Sequence, residues 1–162
     1  MDRIFILLGL IVVESVVNSQ DVGSCLDTVL FNRHCCNNVI SEENKAIMRE
    51  CLHTRHEPQT CYFEKCYGER KGFLMPNGTV DKMQFNESLI KDFENYTSIY
   101  DVVKVKCLND DLSAYSQEDT CYLREIGNCI QFTIMANCPT WIESDECIKV
   151  KDIIQDCTKV FP

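Results

Sequence analysis

Three kinds of side chain in this sequence could do chemistry: twelve cysteines, three histidines and three asparagines in Asn-x-Ser/Thr sequons. The cysteines dominate. Cys35 and Cys36 are adjacent, Cys61 and Cys66 are separated by four residues, and Cys129-x8-Cys138 is followed directly by Pro139. Cys25, Cys51, Cys107, Cys121, Cys147 and Cys157 complete the set. Closely spaced thiolates hold metal in a reducing compartment and bond to one another in an oxidising one. The first residues decide between the two. Arg3 precedes an unbroken apolar run from Ile4 to Val13, and Val17 and Ser19 stand where a signal peptidase prefers small or apolar residues. Residues 1–19 therefore read as a secretory signal, too short to span a bilayer, that is removed. No later segment is apolar for long enough to form a membrane helix. An even number of cysteines behind such a leader predicts six disulfides, no free thiol and no metal.

Hydrolytic chemistry finds no support. There is no Gly-x-Ser-x-Gly, no His-Glu-x-x-His and no phosphate-binding loop. Secreted phospholipases A2 carry Cys-Cys with a histidine a few residues downstream in the same helix. Here His34 precedes the pair and Asn37-Asn38-Val39-Ile40 follow it. The base such an enzyme needs is missing. His34, His53 and His56 lie in polar sequence and read as solvated surface groups; the functional alternative is a pH sensor. Asn77, Asn86 and Asn95 head the sequons and are candidate glycosylation sites. The expectation is a protein that is not an enzyme and has no cofactor. The chain has 16 basic and 25 acidic residues and a net charge of −9. That balance argues against nucleic acid and anionic membrane surfaces as partners, since both need a cationic patch.

The elements that must position these groups are helical. Ser41-Glu42-Glu43 supplies an N-cap and first-turn acids for a segment through Ile47, Met48, Cys51 and Leu52. Tyr62, Phe63 and Cys66 mark a short second piece. Residues 73–79 form a turn broken by Pro76 and Gly78, with Thr79 as the expected cap of the next helix. Phe85, Leu89 and Phe93 then recur every four residues, flanked by Met83 and Ile90. Ile99 to Leu108 is rich in β-branched residues and alternates like a strand; with no partner strand visible, it is read as helix. The longest candidate runs from about Gln117 to Asn137, with Leu123, Ile126, Ile130 and Ile134 at helical spacing and Phe132 and Met135 widening the face. Pro139 ends it, and a last helix covers 146–158. Residues 20–162 read as one domain without repeats or linkers.

Helical geometry constrains the cysteines. Nine residues at 100° each put Cys129 and Cys138 half a turn apart, so each must bond a different neighbour. Cys61 and Cys66 cannot pair with each other without strain, and the adjacent Cys35 and Cys36 also need separate partners. At this level the chain resembles the insect odorant-binding proteins, specifically the cysteine-rich Plus-C branch. The resemblance rests on Cys36, Cys61-x4-Cys66, Cys107, Cys129-x8-Cys138-Pro139, the later Cys147 and Cys157, and the turn Asn77-Gly78-Thr79-Val80-Asp81. It covers nearly all of 20–162. The six-cysteine members differ in having three residues between the pair matching Cys61 and Cys66. The resemblance implies an all-α, compact, disulfide-rich bundle of six to eight helices. It also implies the pairs Cys36–Cys66 and Cys61–Cys129, and Cys138 with either Cys107 or Cys121.

Apolar stripes ordinarily mean a filled core, and sequence does not separate a filled core from a hollow one. The resemblance tips the reading toward hollow. The candidate pocket residues are Phe73, Leu74, Met83, Phe85, Leu89, Phe93, Leu123, Ile126, Ile130, Phe132, Ile134 and Met135. The implied function is a secreted carrier of small hydrophobic ligands such as odorants and semiochemicals in extracellular fluid. A homodimer, with ligand at a subunit interface or in a surface groove, is a further expectation of that branch. Two rivals stand beside it: a rigid disulfide-bonded protein that binds or inhibits another protein, and a carrier of lipids or amines outside olfaction.

Overall fold

The computed structural model describes residues 22–37, 39–52, 61–108, 111–116 and 120–161. The expected leader, His53 and His56 lie outside them. The described residues form seven α-helices: α1 (Val22–Asn32), α2 (Glu42–Leu52), α3 (Tyr62–Arg70), α4 (Lys82–Asp92), α5 (Thr97–Leu108), α6 (Tyr122–Ala136) and α7 (Asp145–Cys157). Two short 3-10 turns lie at Arg33–Cys35 and Ser113–Tyr115. The result is a disulfide-rich all-α bundle, as expected.

Local chemistry sets the boundaries. The Ser41 hydroxyl accepts from the Asn44 amide at 3.2 Å and opens α2. Asp81, not Thr79, caps α4: its carboxylate accepts from the amides of Met83 and Gln84. Thr79 is held one turn earlier, where its amide and hydroxyl both donate to the Asn77 side chain. A carboxylate on two first-turn amides also meets the positive end of the helix dipole, so it wins the position. Ser144 caps α7 through the Cys147 amide. The β-branched segment is helix α5, with Ile99, Val103 and Cys107 buried at a spacing of four and Val105 exposed. The last helix starts and stops within one residue of expectation. α6 begins at Tyr122 rather than near 117, because Cys121 is extended and bonded to Cys61. α1 was not anticipated.

α6 is the central element. It packs on α1, α3, α5 and α7, while α1 also lies against α7 and α2 against α3. Its core face carries Cys129, Phe132, Thr133 and Met135, all buried. Phe132 meets Phe161 at 4.3 Å between ring centroids, and Phe161 stacks on Tyr115 at 4.8 Å. That cluster plugs the end of the bundle beside the second 3-10 turn.

All twelve cysteines are bonded: Cys25–Cys157, Cys35–Cys147, Cys36–Cys138, Cys51–Cys66, Cys61–Cys121 and Cys107–Cys129. The separate partners expected for Cys35 and Cys36, Cys61 and Cys66, and Cys129 and Cys138 are found. The pairs implied by the family resemblance are not. Cys66 bonds Cys51, so it is not available to Cys36. Cys129 bonds Cys107, so it is not available to Cys61. Cys138 takes Cys36 rather than Cys107 or Cys121. The reason is helix adjacency: α2 lies against α3, α5 against α6 and α1 against α7, and each pair carries one bridge. Near Cys36–Cys138, the 35–37 segment runs antiparallel to 140–142, with Ile142 N donating to Cys35 O at 2.9 Å. No helix among the described residues is long and apolar enough to cross a membrane.

A candidate ligand cavity between α2, α3, α4 and α6

A cavity of about 210 Å3 lies between α2, α3, α4 and α6, closed at one side by the end of α1 and the 39–40 segment. α6 supplies Leu123, Ile126, Ile130 and Ile134 to its wall, and α4 supplies Phe85 and Leu89 with Phe93 just beyond its end. These positions repeat at three and four residues, so each helix turns one apolar stripe toward the space. Phe73 enters from the connection after α3. That chain reversal depends on Gly72, at φ +78°, in a left-handed position that side chains disfavour. Gly72 N donates to Glu69 O at 3.1 Å and Phe73 N to Gly68 O at 3.0 Å, closing the helix end and aiming Phe73 inward.

Four candidate pocket residues lie elsewhere, for geometric reasons. Phe132 is two residues from both Ile130 and Ile134, hence about 200° round the helix from each, and it packs in the aromatic plug. Met135 borders a different depression, against α7. Leu74 follows Phe73 in extended chain, so it points to the other side, where it bridges Val80. Met83 sits two residues before Phe85 and is 65% exposed. Ile90 is exposed as well.

The wall also contains residues that were not among the pocket candidates. Phe63 and Tyr67, four apart on α3, stack with centroids 6.4 Å apart, and Tyr67 meets Phe73 edge-on at 6.3 Å. Phe73 lies 4.5 Å from Phe85, which completes an aromatic row along the wall. Their i, i+4 spacing was the available signal. Gly127 also lines the cavity, and a Cβ added there would meet no atom within 4 Å.

Charges on the wall are mostly matched in pairs. Arg124 donates through Nε and Nη2 to both carboxylate oxygens of Glu64, at 2.7 and 3.0 Å, with both side chains largely buried. Asp92 accepts from Lys71 Nζ at 2.6 Å, and the same ammonium donates to Asn44 at 2.9 Å. Asn128 is buried and donates to the Tyr115 carbonyl at 3.0 Å. Burial, then the carboxylates of Asp92 and Glu43, push the Tyr67 phenol well above its ordinary range, so it stays neutral. Arg33 is exposed at the border of the cavity.

The alternative sensor role for histidine gains nothing from His34, which is exposed, does not line the cavity and has Nε2 3.8 Å from Cys35 Sγ. His34, Cys35 and Cys147 cluster within ligand distance of one another, but the two sulfurs are bonded together and offer no thiolate to a metal. Of the sequons, Asn77 is exposed in its turn and Asn95 is exposed after α4, while Asn86 is half-buried and accepts from Tyr100 at 2.9 Å.

A second depression of about 1050 Å3, between α5, the 136–144 segment and α7, is larger but is an open trough. Its border mixes Ile142 and Ile148 with Glu143, Asp145 and Lys151, a composition close to ordinary surface. The smaller cavity has the more apolar wall, as a small-molecule site needs. Comparison of the chain with protein-family models, curated proteins and solved structures finds no match.

Proposed function

We propose that this protein is a secreted carrier that takes a small hydrophobic ligand out of extracellular fluid, as its resemblance to Plus-C odorant-binding proteins suggests. The single observation that carries the reading is the aromatic and aliphatic cavity between α2, α3, α4 and α6. The carrier reading does not depend on the cysteine pairing, which differs from the pairs the resemblance implies. Six disulfides fit an oxidising compartment and brace the helices around a space that packing alone would tend to collapse.

The cavity sets the scale of the ligand. An apolar void of about 150 Å3 is enough for benzene, so about 210 Å3 suits a guest on the order of ten heavy atoms. At roughly 0.7 kcal/mol per atom, between the limits for fragments and drug-sized ligands, binding is worth about 7 kcal/mol and Kd is roughly 10 μM. Odorant-sized terpenoids and medium-chain alcohols fall in this class.

The test fills the cavity from Gly127. A side chain added there starts in open space, since its Cβ meets no atom within 4 Å. In the native protein, an apolar fluorescent probe binds with micromolar affinity and is displaced by terpenoids or fatty alcohols. In Gly127→Leu, with helical circular dichroism and melting retained, probe binding falls at least tenfold. Equal probe binding in the two proteins removes the cavity as the site, and no binding by the native protein removes the carrier reading.

A further inference from the structure

An apolar wall does not by itself select the polar end of a guest. Most polar groups on the wall are paired; the side chains of Tyr67, Ser88 and Gln131 make no hydrogen bond to another described residue, and of these Tyr67 alone is set in the aromatic row. It lies on α3 between Phe63 and Phe73. Among the described residues there is no fully enclosed side-chain nitrogen or oxygen without a partner. The Tyr67 hydroxyl is therefore reached by a small atom arriving from outside the protein. The two carboxylates that act on it are held by lysines: Asp92 by Lys71 at 2.6 Å and Glu43 by Lys91 at 3.3 Å. A hydroxyl on this wall that bonds no protein group can exchange its water for a ligand oxygen and keep its hydrogen bond.

We propose that the guest of this cavity carries one neutral oxygen, a carbonyl or a hydroxyl, and that the Tyr67 hydroxyl donates to it. The inference rests on the carrier reading and narrows its ligand class. The surroundings choose neutral over anionic. The same burial and carboxylates that resist a phenolate at Tyr67 resist a carboxylate placed against it. Arg33 is the competing feature, an exposed guanidinium without an ion pair among the described residues, and it would favour an anionic head at the border instead.

The experiment compares 2-octanone with 2-methyl-1-octene, which replaces the carbonyl oxygen by a methylene of similar size. Both are measured by displacement of a bound apolar fluorophore from the native protein and from Tyr67→Phe, with sodium octanoate as a third ligand. Phenylalanine keeps the ring and its contacts, so folding is preserved, and this is checked by melting. A neutral hydrogen bond corresponds to a loss of about three- to tenfold for 2-octanone in Tyr67→Phe, with the alkene unchanged within about twofold. Equal changes for the two ligands, or no change for the ketone, overturn the proposal. So does octanoate binding more tightly than 2-octanone with an advantage that Arg33→Gln removes. The alkene reads the carrier function separately. If it binds the native protein and not Gly127→Leu, the cavity is a carrier site whatever Tyr67 does. If neither neutral ligand binds, both readings fall together.

Discussion

Gly68 and Gly127 both lie inside helices that line the cavity, and replacing each by alanine should have opposite effects. In a helix interior Gly→Ala is worth about 0.5–1 kcal/mol of stability from backbone entropy alone. At Gly127 that gain stands unopposed, since an added Cβ meets no atom within 4 Å. At Gly68 the Cβ would lie 2.9 Å from Leu74 Cβ and 2.9 Å from Phe73 Cε2. Comfortable carbon contacts are about 3.5–4.0 Å, so each neighbour must retreat by more than about half an ångström. The Phe73 ring edge can swing, but toward Tyr67 or Phe85. Leu74 Cβ is fixed to a backbone whose amide donates to Gly68 O at 3.1 Å, so moving it weakens the end of α3. Overpacking of this kind costs about 1–3 kcal/mol. The helix-propensity term is shared by the two variants and cancels in their difference. Gly127→Ala should therefore be more stable than Gly68→Ala by about 1–3 kcal/mol. For a domain of this size that is roughly 2–4 °C in Tm per kcal/mol. Thermal and guanidinium unfolding with the disulfides intact measures the gap. Gly68→Ala melting at or above Gly127→Ala would refute the packing argument. Gly127→Ala should also bind the apolar probe more weakly while melting higher, because its methyl occupies the ligand's space.

Tyr67 makes stability depend on alkaline pH. Its folded pKa lies above the unfolded value near 10, so its contribution is complete below about pH 10 and is lost as pH rises beyond that. Tyr67→Phe should flatten the alkaline decline in stability, and it should remove a phenol that ionises above the ordinary tyrosine range from the ultraviolet titration; an unchanged decline counts against it. Glu64→Gln removes the charge that accepts two bonds from the largely buried Arg124 and should cost roughly 2–3 kcal/mol in chemical denaturation. A loss under about 0.5 kcal/mol for this variant would mean the pair is effectively solvated. Thiol titration of the denatured, unreduced protein should find essentially no free cysteine; two or more per chain would dismantle the six-bridge scaffold.

The helices that were legible carry their own instructions. α4 and α6 show apolar residues at three- and four-residue spacing, α2 and α7 show serine caps with acids in the first turn, and the lack of a partner strand decided α5 against its β-branched composition. α1 is equally patterned, with Val22, Cys25, Leu26 and Val29 at i, i+3, i+4 and i+7, but it follows a long apolar run that hides its period. The cavity wall was legible along the stripe from Leu123 to Ile134. Phe132 and Met135 were misplaced because widening an apolar face by composition ignores the angle at which each residue leaves the helix. The disulfides were beyond reach, because pairing follows which helices become neighbours, and that is settled by packing of the whole chain. Tyr67 was hidden for a related reason: a tyrosine matters to a ligand only when its hydroxyl is left without a partner.

Three of the bridges join the two ends of the chain: Cys25–Cys157, Cys35–Cys147 and Cys36–Cys138, with separations of 132, 112 and 102 residues. A ribosome adds about 5–20 residues per second, so Cys25 must wait roughly 7–26 seconds for Cys157 to be made. Cys51–Cys66, only 15 residues apart, can close within seconds of its second thiol emerging. During the wait, Cys25, Cys35 and Cys36 are three reactive groups close together near the start of a growing polymer, and the cysteines that reach them first are wrong ones. A vicinal Cys35–Cys36 pair meeting Cys51 or Cys61 early would have to be undone later. The finished scaffold therefore implies a demand for thiol exchange during folding, and the yield of correctly bridged protein should track disulfide-isomerase activity more than the rate of oxidation.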